Sequence, residues 1–229
     1  MSTGAKAPAA EVHTPAALVH GRYLLDRGTT ESDPPLLVGF HGYGENESHH
    51  LDKLRQIPGS DAWVRCAVGA LHPFYTKRQE IVRSWMTSQD RELALDDNIR
   101  YAASVVAELR RRFGSQGPLV FAGFSQGVAM AWRAVARSGH PCHGLIALAG
   151  DVPPEVGGGE LPAPPPVLLG RGTEDAWYSS DKLDQDLATL MHHRVDVTTC
   201  VFEGGHDWEP PFYNAAGKFL DKVLDPNRE

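Results

Sequence analysis

Short, unbroken apolar runs alternate along the chain with segments whose apolar residues recur every three or four positions. Leu36-Leu37-Val38-Gly39-Phe40 is the first such run. It ends in a glycine-rich turn, which suits a buried strand. Residues 62–68, 118–122, 144–148 and 167–169 repeat that character, and 195–202 is a sixth, partly alternating strand. Leu93, Leu95, Ile99, Ala102, Val106, Leu109 and Phe113 fall mostly on one helical face. They predict an amphipathic helix from about 92 to 113, stopped by Gly114. Further helices are predicted over 128–136, around Leu183, Leu187 and Leu190, and from about 211 to 224. Apolar strands separated by helices imply an α/β fold with a mostly parallel central sheet and helices on both faces. No internal repeat is visible. The Pro- and Gly-rich stretch 153–166 reads as a surface loop, because the pattern continues unchanged on either side.

Composition narrows the classes. The chain has 229 residues, 41% hydrophobic and 22% charged, with a net charge of −7. That length allows one α/β domain or two small ones. The acidic balance argues against nucleic-acid binding, which needs clustered Lys and Arg. The one tight basic run, Arg110-Arg111-Arg112, ends a predicted helix. No apolar stretch approaches the ~20 residues of a membrane span. Residues 1–14 lack the apolar core of a signal peptide and read as a flexible tail, leaving 15–226 for the folded part. Cys66, Cys142 and Cys200 are too few and too scattered for a disulfide framework or a metal site. A cytoplasmic enzyme or binding domain is the expectation.

The sharpest chemical signal is Gly123-Phe124-Ser125-Gln126-Gly127, a G-x-S-x-G pentapeptide. An apolar strand precedes it and an alanine-rich helix follows it, the context in which the motif marks a nucleophile elbow. A tight strand-to-helix turn forces the serine backbone into strain, and side chains two residues away on either side would clash. The blander reading is a helix-capping serine in a glycine-rich loop.

A serine nucleophile needs two backbone N–H groups aimed at the oxyanion. One is expected from Gln126. The other is expected from Tyr43, in Phe40-His41-Gly42-Tyr43-Gly44-Glu45 after an earlier strand. The base should follow both the serine and the acid in chain order. Of eleven histidines, His206 in Glu203-Gly204-Gly205-His206 satisfies this, directly after the last strand. Asp175, in Gly170-Arg171-Gly172-Thr173-Glu174-Asp175, is the expected acid. Glu174 is read as facing elsewhere, and Asp151 after the 144–148 strand is the competitor. His49-His50 are adjacent and cannot share a helix face, which argues against a metal pair.

With these pieces in order, the chain resembles the phospholipase/carboxylesterase family of α/β-hydrolases. That group includes small carboxylesterases, lysophospholipases and acyl-protein thioesterases. The resemblance covers residues 17–224 and rests on F-H-G-Y-G-E, G-F-S-Q-G, G-T-E-D and G-G-H. It implies an α/β-hydrolase fold, a Ser125–Asp175–His206 triad and an oxyanion hole at Tyr43 and Gln126. It also implies a place for Trp85 near the acyl pocket. The chain departs from the family at Glu45, often Asp, at Arg171, often His, and at Trp177, usually small and apolar. Trp177 and Trp208 would narrow the pocket and favour short acyl or aryl esters.

The expected activity is a serine carboxylesterase acting on a small-molecule ester without metal or organic cofactor. An acyl thioesterase or lysophospholipase with the same triad is the alternative, and a non-catalytic binding domain is the third reading. Monomer and homodimer both stay open. Only seventeen residues separate the 144–149 and 167–171 strands, too few for a large helical cap.

Overall fold

A computed structural model describes residues 10–157 and 164–225. Residues 1–9 of the expected tail, 158–163 of the Pro/Gly loop and residue 226 lie outside the described residues. The elements run β1 (Arg22–Asp26), β2 (Leu36–Phe40), α1 (Glu47–Arg55), β3 (Val64–Gly69), β4 (His72–Tyr75) and β5 (Ile81–Ser84). There follow α2 (Arg91–Phe113), β6 (Leu119–Phe124), α3 (Gln126–Arg137), β7 (Gly144–Leu148) and α4 (Pro154–Gly157). The chain then forms β8 (Val167–Gly172), α5 (Ser180–His192), β9 (Val197–Phe202) and α6 (Pro210–Leu224).

Seven strands form one sheet in the order β1-β3-β2-β6-β7-β8-β9. β1 pairs antiparallel with β3, and the other neighbours are parallel. Every residue of β2, β6, β7 and β8 is buried. Since successive side chains point to opposite faces, both faces of the sheet are covered. Each fully buried Leu, Val or Phe contributes about 1.5–3 kcal/mol, so these strands anchor the core.

The order places a switch between β2 and β6. From β2 the chain steps outward to β3, and it returns on the other side as β6. Crevices open at the carboxyl ends of strands at such a point. Both the F-H-G-Y-G-E loop after β2 and the G-F-S-Q-G turn after β6 lie there. Between β7 and β8 the described residues hold only the four-residue α4, and no large cap is built.

Several elements escape the apolar pattern. α1 is mostly polar, yet Asn46 caps it by accepting from the Ser48 and His49 N–H groups, both at 3.0 Å. β1 is the antiparallel edge strand, and β4 and β5 form a separate hairpin. Buried Glu47 ties these pieces together through Arg22 and Arg83, each at 2.8 Å. Among the described residues, no helix is long and apolar enough to cross a membrane.

Candidate active site

Ser125 sits between β6 and α3 with φ 52° and ψ −120°. A non-glycine residue holds such a backbone only where the surroundings impose it. A Cβ on Gly123 would come within 2.6 Å of the Gly127 carbonyl oxygen, and one on Gly127 within 2.0 Å of the Phe40 carbonyl oxygen. Glycine is therefore required at both places. The turn brings the serine to the first turn of α3. There the Gln126 N–H, in the first helical position, has no carbonyl to pair with inside the helix. The helix dipole adds partial positive charge at the same end.

His206 lies in the loop after β9, its ring packed beside Phe124 at 5.1 Å. Its Nε2 is 2.8 Å from Ser125 Oγ, and its Nδ1 is 2.8 Å from Asp175 Oδ2. An ionised carboxylate only accepts, so Nδ1–H donates to Asp175 and leaves Nε2 free to accept from the serine hydroxyl. Asp175 has a fully buried side chain. Its second oxygen accepts from the Trp177 and Tyr178 N–H groups at 2.8 and 2.9 Å, which fixes its orientation. The turn after β8 and the loop after β9 are knitted together. The Thr173 N–H donates to the Phe202 carbonyl and the Glu174 N–H to the Gly204 carbonyl, both at 2.8 Å. Asp151 lines the cleft beside Ser125, but its carboxylate is paired with Lys182 at 3.1 Å and it is Asp175 that meets His206.

The loop after β2 is held from both ends. The Gly42 N–H donates to Glu45 Oε2 at 2.8 Å, and the Gly44 N–H to the Arg83 carbonyl at 3.1 Å. Gly42 abuts the Phe124 ring, directly before Ser125. The exposed Tyr43 ring stacks on Phe74 at 5.5 Å. His41 is buried and neutral, its pKa pushed down to about 4 by burial. Its Nε2 accepts from the Ala70 N–H at 3.1 Å, so Nδ1–H donates to the Gly42 carbonyl at 2.7 Å.

The side chain of Gln126 does work that the motif gave no hint of. Its Oε1 accepts from the Trp85 N–H at 2.9 Å, and its Nε2 donates to the Met86 carbonyl at 3.2 Å. Trp85 in turn donates from Nε1 to the His41 carbonyl at 2.8 Å. One chain of bonds thus runs from the elbow through Trp85 to the loop after β2. The segment Arg83-Ser84-Trp85-Met86, which spans the end of β5 and the residues after it, carries no periodic signal that would reveal it.

Ser125 and His206 open onto a cleft of about 370 Å³ that Met86, Val152, Trp177 and Tyr178 help to line. Of the three tryptophans expected at a pocket, only Trp177 reaches it. Trp85 is fully buried against Phe40 and His41 and is a support for the loop, not a wall of the cleft. Trp208 is also buried, stacked on Tyr213 at 5.3 Å and edge-on to Phe212. It borders a separate groove with Lys53 and Pro58. Its position two residues after His206 turns it away, because the chain enters α6 there.

No protein-family model matches the chain, and no curated protein matches it. Solved structures do. Esterase PE8 superposes with a TM-score of 0.71 at 25% identity, covering 90% of this chain and 100% of that one. A phospholipase/carboxylesterase from Dyadobacter fermentans has a TM-score of 0.67 at 20% identity, covering 89% and 97%. Zea mays acyl-protein thioesterase 2 has a TM-score of 0.67 at 19% identity, covering 90% and 100%. The fold is that of the α/β-hydrolases, and the similar structures come from the group the four motifs resemble.

Proposed function

We propose that this chain is a serine hydrolase of carboxylic esters, with residues 15–226 acting as one domain. The observation that carries this reading is the unbroken pair of 2.8 Å contacts from Ser125 Oγ through His206 to Asp175, starting at a strained elbow. The esterase, carboxylesterase and thioesterase among the similar structures support the reaction class.

In this reading His206 Nε2 takes the Ser125 proton as Oγ attacks the ester carbonyl. The Gln126 and Tyr43 N–H groups hold the developing oxyanion. His206 then protonates the leaving alcohol, and the acyl-serine is hydrolysed by a water that His206 deprotonates. Asp175 keeps the imidazole in the productive tautomer and stabilises its cation. The cleft lies near the small end of ligand pockets, roughly 300–1,000 Å³, which favours short acyl groups.

Ser125→Ala is expected to keep the fold and to lose roughly 10⁴–10⁶-fold in kcat on a 4-nitrophenyl butyrate assay. A fluorophosphonate probe is expected to label the native protein and not the variant. Turnover equal to the native rate would overturn the assignment, and a native protein that neither turns over esters nor takes the label would favour the binding-domain reading. A rate that climbs steadily to long acyl chains would move the proposal to a lysophospholipase or long-chain thioesterase.

A further inference from the structure

The chain as a whole is acidic, but the cleft beside Ser125 is not. Among its lining residues Arg91, Arg133 and Lys182 stand against one carboxylate, Asp151. Two of the cations are in solvent. Lys182 pairs with Asp151 and Arg91 with Glu92, all four side chains largely exposed, and such pairs yield readily to a competing ligand. Arg133 is different. It is 1% exposed, in the second turn of α3 beyond the elbow. Its Nε donates to Glu155, and that guanidinium holds the Glu155 carboxyl below the usual range although burial alone would raise it. Its Nη1 is buried with no hydrogen-bond partner. An unpaired guanidinium N–H in a buried position is costly, so a protein keeps one where something else completes it.

Arg133 follows Ser125 by eight residues on the same helix, which puts its Cα about 12 Å further along the axis. Long side chains on a helix lean toward its N-terminus, here toward the serine. A guanidinium in that position presents a planar fork suited to a carboxylate.

Resting on the ester-hydrolase reading, we infer that this cleft selects esters that carry a second, anionic group, a carboxylate a few carbons from the scissile carbonyl, bound by Arg133. Lys182 and Arg91 at the rim draw the anion in.

The test compares four esters on the full chain: monoethyl glutarate against ethyl valerate, for a carboxylate on the acyl side, and carboxymethyl butyrate against propyl butyrate, for one on the alcohol side. The native protein is expected to show a higher kcat/KM for the anionic member of at least one pair, which also assigns the side. Arg133→Met combined with Glu155→Gln removes the site without leaving the half-buried Glu155 carboxylate unpaired. In it the ratio of anionic to neutral kcat/KM is expected to fall roughly ten- to a hundredfold, as for a hydrogen bond to a charged group. Arg133→Lys is expected to restore part of the ratio, which a role in packing alone would not do. No preference in either pair, or a ratio unmoved in the double variant, overturns the inference. Should no ester be turned over, the hydrolase reading falls by itself. Calorimetric titration of Ser125→Ala protein with glutarate then decides the site: binding that the double variant loses supports it, and no binding overturns it.

Discussion

Asp175 shows how much one side chain is asked to do. Its carboxylate accepts three hydrogen bonds, two from backbone N–H groups and one from His206. The two backbone bonds fix its rotamer, so the third sets the imidazole. In Asp175→Asn the amide can meet the same backbone donors with its oxygen, but its NH₂ then faces His206 and selects the wrong tautomer. The expected outcome is a loss of roughly 10⁴-fold in kcat with a native-like circular dichroism spectrum. A steady-state rate within tenfold of the native protein would show that Asp175 does not orient the base.

At the scale of elements, the site depends on strand ends held in register. Gln126 belongs to α3 by its backbone and to the 84–86 segment by its side chain. Gln126→Leu leaves the N–H at position 126 in place but strands the Trp85 N–H, while the Met86 carbonyl keeps its bond from the Ser84 hydroxyl at 2.7 Å. Stability is expected to drop by about 1–3 kcal/mol in urea melts, with a kcat loss smaller than that of Ser125→Ala. The same scale explains what was legible in the chain. β2, β6, β7 and β8 are buried on both faces, so they read as unbroken apolar runs, and glycines mark the turns after β2 and β6. The three residues proposed to react sit at glycine-marked turns of this kind, which is what makes them legible in the chain. β1, α1 and the β4–β5 hairpin are half exposed and their apolar residues fall in short, broken runs, so their patterns are faint. Asn46 followed by Glu47 and, later, Leu51 and Leu54 is the one trace of α1. Trp85 and Trp208 are ambiguous in the sequence because a large aromatic near a catalytic motif is as easily a strut as a wall, and only packing separates the two.

At the scale of the whole molecule, two histidines couple the fold to pH. Burial pushes His41 down to about 4 and His50 down to about 3, from an ordinary 6.5. Their folded values lie below the unfolded one, so the unfolded chain binds more protons between pH 6.5 and about 4. Stability is therefore complete above pH 6.5 and falls as pH drops through that window. Each group costs about 1.4 kcal/mol per pH unit within it. Urea midpoints are expected to decline between pH 7 and pH 5, and His41→Asn is expected to flatten part of that slope.

The four-residue α4 is all that the described chain places between β7 and β8. A lipase with a hinged cover wakes up when its substrate aggregates, because the oil–water boundary peels the cover back. Among the described residues nothing of that size stands over Ser125. The rate on a sparingly soluble ester is thus expected to follow the concentration of dissolved molecules and to level off smoothly at the solubility limit. A jump at that limit, seen by titrating released acid across it, would reveal a moving cover after all. Without one, this protein meets its substrates one molecule at a time.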